Sequence, residues 1–92
     1  MTLTLRIYGR VQGVGFRRAL RRQAHALGLR GWVRNRRDGS VEATVNGSPA
    51  ALEHLYTWCK SGPSLAQVDR VDVFDTNAEN LPLSGCTILP TK

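Results

Sequence analysis

The feature that most constrains this chain is the order in which its hydrophobic residues change their spacing. Residues 3–8 alternate apolar and polar side chains, the period of two that is typical of a half-buried strand. Three glycines interrupt the pattern between Gly9 and Gly15. From Phe16 to Leu27 the apolar residues recur at helical spacing, and Gly28 follows as a C′ residue. The chain therefore begins with a strand, a glycine-rich loop and a helix.

The next two apolar segments return to the period of a strand. Residues 29–35 and 41–45 alternate, and Arg36-Arg37-Asp38-Gly39 between them has the composition of a turn. These segments predict a hairpin.

A second helix and further strands follow the hairpin. Ser48 before Pro49 predicts an N-cap with proline at the first helical position, and this helix is expected to end at Gly62-Pro63. Residues 68–74 predict a fourth strand. Residues 77–85 are expected to form a loop, and Cys86 to Leu89 a short last strand.

The order β-α-β-β-α-β predicts an α+β fold, the ferredoxin-like sandwich. Its sheet has four to five strands, mainly antiparallel, with two helices on one face. A helical crossover joins the first two strands, so they should run parallel and end at the same edge of the sheet. We therefore expect residues 9–17 to meet Asn35, although 18 positions separate Arg17 from Asn35.

Chain length limits the domain organisation. With 92 residues and 10.2 kDa, we expect residues 1–92 to form a single domain, which argues against a two-domain enzyme. The apolar runs are far shorter than the roughly 18 residues that span a bilayer, and the first residues lack the order of a signal peptide. We expect a cytoplasmic protein without a membrane partner. A monomer is the default expectation.

The two cysteines give little support to a metal site or a redox pair. Cys59 and Cys86 have neither CxxC spacing nor nearby histidines. Two buried or unreactive thiols are favoured over one disulfide. His25 and His54 lie within the predicted helices without partners at metal or triad spacing, so no catalytic role is assigned to them.

Charge is distributed unevenly along the chain. Residues 1–37 hold ten arginines and no acidic residue, whereas residues 38–92 hold three cations and seven acids. The N-terminal part therefore attracts anions, and the planar guanidinium of arginine suits bidentate capture of phosphate or carboxylate. A phosphorylated small molecule and a nucleic-acid backbone both fit this charge.

The segment Gly9 to Arg17, GRVQGVGFR, runs from a strand into a helix N-terminus. Unpaired backbone N–H groups and the helix dipole favour an anion at such a junction, and Gly13 and Gly15 allow successive N–H groups to surround it. The segment lacks the Gly-Lys-Ser/Thr of a Walker loop and the third glycine of a dinucleotide fingerprint. It predicts a site for one phosphoryl group.

Arginines occupy the first two turns of the first helix. Cations in the first turn of a helix are unfavourable, because they face the positive end of the helix dipole. Residues that violate such a local preference are typical of a functional site. We expect Arg17 to face the bound anion, and Arg18, Arg21 and Arg22 to point to solvent.

Together with GWVRN at 31–35, DGSVE at 38–42 and GP at 62–63, the segment GRVQGVGFR resembles the acylphosphatase family. The resemblance covers residues 3 to about 73. It implies hydrolysis of small acyl phosphates to a carboxylate and inorganic phosphate, with no metal and no cofactor. It also implies that Arg17 and Asn35 are catalytic: Arg17 binds the phosphoryl group, and Asn35 positions the attacking water. The implied phosphate-binding residues are Val11, Gln12, Gly13, Val14, Gly15, Phe16 and Arg17.

Two other interpretations stay open. Ferredoxin-like folds include RNA-recognition domains, but the RNP signature of stacking aromatics is absent here, and Tyr8 and Trp32 are expected to serve packing. We therefore expect no nucleic-acid partner. An inactive binding domain is the third interpretation, against which the presence of both Arg17 and Asn35 argues.

Overall fold

The computed structural model describes residues 1–77 and 81–92. The elements follow the order β1 (Thr2–Arg10), α1 (Phe16–Ala26), β2 (Arg30–Asn35), β3 (Val41–Asn46), α2 (Pro49–Cys59), β4 (Gln67–Asp75) and β5 (Cys86–Ile88). The predicted ferredoxin-like α+β order is confirmed, with β5 as a short fifth strand. Residues 78–80 of the expected loop over 77–85 lie outside the described residues.

The described strands form a five-stranded sheet in the order β4-β1-β3-β2-β5. β1 is antiparallel to β3 and β4, β2 is antiparallel to β3, and β5 runs parallel to β2. Because β1 and β2 are both antiparallel to β3, they run in the same direction. The end of β2 and the loop after β1 therefore lie at one edge of the sheet, as the crossover predicts.

β1 is longer than its alternation indicates. The alternation predicts a break at Gly9, but the strand continues through Gly9 to Arg10. It does so because pairing with β4 extends to Gln67. The register against β4 shifts between Tyr8 and Gly9, and Gly9 has φ 129°. A Cβ at Gly9 would collide with the backbone of Gln67, so only glycine fits this close approach.

The core lies between the sheet and the two helices. α1 contacts β2 and β5, and α2 contacts β1 and β4. Alternate residues of β1 and β2 are buried, which is the outcome the period of two predicts, whereas β3 is buried at every position except Asn46 and the edge strand β4 has no buried residue. The largest fully buried side chains include Phe16, Leu5, Ile7, Leu20, Leu29 and Leu55.

Local sequence determines the helix ends. Ser48 Oγ accepts a hydrogen bond from the N–H of Ala51 at 3.2 Å, as expected of an N-cap. At the end of α1, Gly28 has φ 69°, and the N–H of Leu29 donates to the carbonyl of Ala24 at 2.9 Å. This is the Schellman arrangement that Gly28 predicts. α2 ends at Cys59, three residues before the expected Gly62.

Candidate active site

An open cavity of about 310 Å³ lies where the loop after β1 meets the end of β2. This volume is at the small end of ligand sites, which run from roughly 300 to 1,000 Å³. The cavity is lined by Val11, Gln12, Gly13, Gly15, Phe16, Arg17, Arg18, Asn35 and Ile88. The topology thus brings the predicted loop and Asn35 together.

The loop of residues 11–17, of which all but Val14 line the cavity, has free backbone hydrogen-bond donors. Within the described residues, none of these N–H groups donates to a protein acceptor. Gly13 has φ 74° and Gly15 has φ 78°, so left-handed residues recur along the loop. Such an alternation turns successive N–H groups inward and forms an anion-binding concavity.

Arg17 adds a cation at the start of α1. Its side chain is half-buried and lines the cavity. The first turn of α1 contains no acidic residue, and Arg17 makes no ion pair within the part of the chain that the structure describes. The helix N-terminus and Arg17 therefore both contribute positive potential to one small volume.

Asn35 is the last residue of β2 and also lines the cavity. Its backbone is fixed by pairing with Val41 of β3 and by the N–H of Lys92, which donates to the Asn35 carbonyl at 3.0 Å. The side-chain Oδ1 is buried and has no hydrogen-bond partner among the described residues. The fold therefore positions this amide without using its full hydrogen-bonding capacity.

The predicted phosphate-binding residues differ in what they present to the cavity. Val14 does not line it, because its side chain packs against the core. Val11 and Phe16 line it but are buried, and the Phe16 ring packs against Trp58 with centroids 5.5 Å apart. Their side chains belong to the core, which leaves their N–H groups as the polar contribution.

Two lining residues were not predicted. Arg18 is exposed, as expected, yet its side chain also lines the cavity. Ile88 comes from β5, which reaches the site because it pairs with β2. The weak alternation after Cys86 predicts the strand, but no local feature of the sequence predicts that it pairs with β2.

The thiols and histidines lie outside this cavity. Cys59 and Cys86 are free and buried, and burial raises their pKa values to about 12 and about 11. The expectation of two buried thiols is confirmed. His25 Nε2 accepts a hydrogen bond from the N–H of Cys86 at 2.9 Å. Over residues 1–77 and 81–92, no three His, Cys, Asp or Glu side chains come together as metal ligands.

Neither helix in the described part of the chain combines the length and apolar character needed to cross a membrane.

Fold and site define a ferredoxin-like α+β protein with a small cavity at a strand–helix junction. The family model described as Acylphosphatase matches residues 3–85. The chain belongs to the acylphosphatase family and is a hydrolase.

Relatives and solved structures agree with this placement. A protein named Acylphosphatase from Thiobacillus denitrificans is 58% identical over 85% of this chain and 88% of the relative. Acylphosphatase 2 from Ralstonia nicotianae is 46% identical over 99% of both chains. The crystal structure of acylphosphatase from Bacillus subtilis superposes with a TM-score of 0.88 at 32% identity, covering 96% of this chain and 97% of that one.

Proposed function

We propose that this protein hydrolyses small acyl phosphates to a carboxylate and inorganic phosphate without a metal ion or cofactor. One observation carries the proposal: residues 11–13 and 15–17, whose backbone N–H groups are unpaired, line the same cavity as the Arg17 and Asn35 side chains. A tetrahedral dianion matches these donors in size and charge.

The loop and Arg17 hold the phosphoryl group. Phosphoryl transfer depends mainly on positioning and on neutralising charge on the equatorial oxygens. Fixed N–H groups at a helix N-terminus supply such stabilisation without reorganising during the reaction. The guanidinium adds a planar pair of donors that matches two phosphoryl oxygens.

Asn35 positions the attacking water. Its amide is uncharged, so it holds water beside an anion without repelling the substrate. Water oxygen forms a bond to phosphorus while the bond from phosphorus to the acyl oxygen breaks. The bonding electrons leave with the carboxylate, and the protons of the water remain with phosphate or pass to solvent.

The leaving group explains why neither an acid catalyst nor a metal is needed. A carboxylate has a conjugate acid with a pKa of about 4, so it departs as an anion at neutral pH. Arg17 and the loop donors neutralise the charge on the transferring group, a task that metal ions perform in other phosphoryl-transfer sites.

Nucleic-acid binding has less support. The aromatic rings that an RNA-recognition surface would use for base stacking are covered by this protein's own arginines. The guanidinium of Arg70 lies 4.1 Å from the centroid of Tyr8, and that of Arg34 lies 4.5 Å from the centroid of Trp32. These contacts already use ring faces for cation–π packing.

Benzoyl phosphate hydrolysis in excess chelator tests the proposal. We expect rapid hydrolysis above the spontaneous rate, and a loss of roughly 10²-fold in kcat with a modest change in KM for Asn35→Ala. Asn77→Ala, the same change at an exposed position outside the cavity, serves as the control. If the intact protein does not accelerate hydrolysis, the proposed activity is wrong. If hydrolysis requires added metal, the proposed metal independence is wrong. An unchanged kcat in Asn35→Ala would show that Asn35 does not position the attacking water.

A further inference from the structure

Gly62, three residues beyond the end of α2, lies directly against the ring of Phe16. A Cβ at Gly62 would be 2.5 Å from Phe16 Cε2 and 3.2 Å from both Cδ2 and Cζ. Ordinary van der Waals contact of a Cβ begins at 3.4 Å, so the space beside this ring admits glycine but no side chain.

The chain that leaves α2 holds Gly62 in this place. The Gly62 N–H donates to the Trp58 carbonyl at 2.8 Å, and its φ is 67°, a left-handed conformation that glycine adopts without strain. Pro63 follows, and a proline at this position cannot continue the helix. Backbone hydrogen bonding and chain direction therefore fix Gly62 relative to α2.

Trp58, on the last turn of α2, contacts the same ring. The centroids of Phe16 and Trp58 are 5.5 Å apart and the ring planes meet at 60°, an edge-to-face arrangement. Phe16 is only 2% exposed, and a close-packed interior leaves a buried ring little room to shift. The end of α2 therefore determines where the Phe16 ring lies.

Phe16 connects this packing to the candidate active site. It is the first residue of α1 and stands between the N-cap Gly15 and Arg17. Phe16 lines the cavity, and its backbone N–H is one of the unpaired donors there. Because a single carbon separates the ring from the backbone, a displaced ring shifts this N–H and the chain that carries Arg17.

We propose that Gly62 and Trp58 are positioning residues for phosphate binding: they fix the Phe16 ring and, through it, the N–H donors at the start of α1. The inference rests on the proposed function, because it assumes that these donors hold the phosphoryl group. A ring that moves from 2.5 Å to 3.4 Å from a new Cβ is displaced by about 1 Å. An error of about 1 Å in a site costs up to about 10²-fold in rate, and side-chain adjustment absorbs part of it.

Gly62→Ala tests the proposal, and Gly28→Ala is the matched control. Both glycines are left-handed, with φ 67° and 69°, so alanine strains the two backbones alike. Among the described residues, a Cβ at Gly28 would meet nothing within 4 Å except its chain neighbours. The readout is the Ki of inorganic phosphate as a competitive inhibitor of benzoyl phosphate hydrolysis. We expect this Ki to rise about tenfold in Gly62→Ala and less than about twofold in Gly28→Ala.

A second comparison separates positioning from a general loss of stability. Phe16→Leu removes the ring atom nearest to the new Cβ, so adding Gly62→Ala to Phe16→Leu should change the Ki by less than about twofold. A general destabilisation would raise the Ki by the same factor with and without Phe16→Leu, and that result would overturn the proposal.

Trp58→Leu removes the edge-to-face contact without adding an atom, and it decides the outcome if Gly62→Ala does not fold. Its Ki for phosphate should rise severalfold. Tyr56→Leu, on the same helix with its ring against the Lys60 ammonium at 4.9 Å, should keep the wild-type Ki.

The possible failures are distinguishable. A wild-type Ki in Gly62→Ala, or a rise that Gly28→Ala shares, would overturn the positioning role alone. A wild-type Ki in Trp58→Leu has the same meaning if Gly62→Ala does not fold. Failure of the wild type to hydrolyse benzoyl phosphate would overturn the proposed function itself.

Discussion

The side chain of Gln12 is hydrogen-bonded to the main chain of Arg36. Gln12 Nε2 donates to the Arg36 carbonyl at 2.7 Å and to the Ser40 carbonyl at 3.0 Å. One amide thereby ties the loop after β1 to the turn that follows Asn35. The two sides of the candidate active site are connected by this side chain as well as by the sheet.

Replacing Gln12 should therefore reduce activity through positioning. Gln12→Ala removes two hydrogen bonds of about 0.5–1.5 kcal/mol each, so we expect kcat/KM for benzoyl phosphate to fall roughly tenfold. Gln12→Glu should be worse, because a carboxylate would face two carbonyl oxygens. Gln67→Glu, at an exposed position of β4, is the control. Wild-type kcat/KM in both Gln12 variants would contradict this role.

Arg17→Lys tests whether the guanidinium geometry matters beyond its charge. Lysine keeps the charge but lacks the planar pair of donors, so we expect kcat/KM to fall by about 10² and competitive inhibition by inorganic phosphate to weaken. Arg37→Lys, in the exposed turn, should leave both quantities unchanged. Wild-type inhibition by phosphate in Arg17→Lys would argue against bidentate capture.

A carboxylate surrounded by three arginines lies on the sheet face opposite the helices. Arg6 contacts Glu42 Oε2 at 2.8 Å, and Arg34 and Arg36 contact Oε1 at 2.8 and 3.0 Å. The Glu42 side chain is only 9% exposed. Burial raises the pKa of Glu42, but hydrogen bonds from the three arginines outweigh it and hold that pKa below its ordinary value.

This lowered pKa predicts a pH-dependent contribution to stability. Glu42 stabilises the fold above the unfolded-state pKa of about 4.3, and the contribution is lost as pH falls through the lower folded pKa. Glu42→Gln should cost about 2–3 kcal/mol in the free energy of unfolding at neutral pH, because it leaves three guanidiniums facing one another. The difference should shrink in acid, as measured by urea unfolding across pH.

An exposed ion pair supplies the control for Glu42. Arg70 and Asp72 approach to 3.4 Å with side chains 63% and 38% exposed, so Asp72→Asn should change stability by less than about 1 kcal/mol. A pH-independent effect of Glu42→Gln, or an effect no larger than that of Asp72→Asn, would contradict the stabilising role.

The buried thiols should be unreactive in the native protein. Burial raises the pKa of Cys59 to about 12 and that of Cys86 to about 11, so almost no thiolate exists at pH near 8. We expect a disulfide reagent to label neither thiol appreciably before unfolding and both after addition of denaturant. Labelling of the native protein at the rate of free cysteine would contradict this expectation.

The sequence by itself determined the elements and their order, because periodicity and capping act over short distances. Ser48 and Gly28 mark helix ends through hydrogen bonds to residues within five positions of them. The approach of Asn35 to the 9–17 loop could also be predicted, since the handedness and direction of a crossover depend on element order.

Tertiary structure alone decided which side chains complete the site. Ile88 reaches the cavity through pairing of β5 with β2, the Gln12 amide finds carbonyls more than twenty positions away, and β1 extends to Arg10 because β4 lies beside it. Each of these contacts depends on strand register and side-chain direction between distant segments. Local propensity determines neither the register nor the side-chain direction, because shifting a strand by two residues buries the same alternating side chains. One register is selected only when the whole sheet packs on its helices.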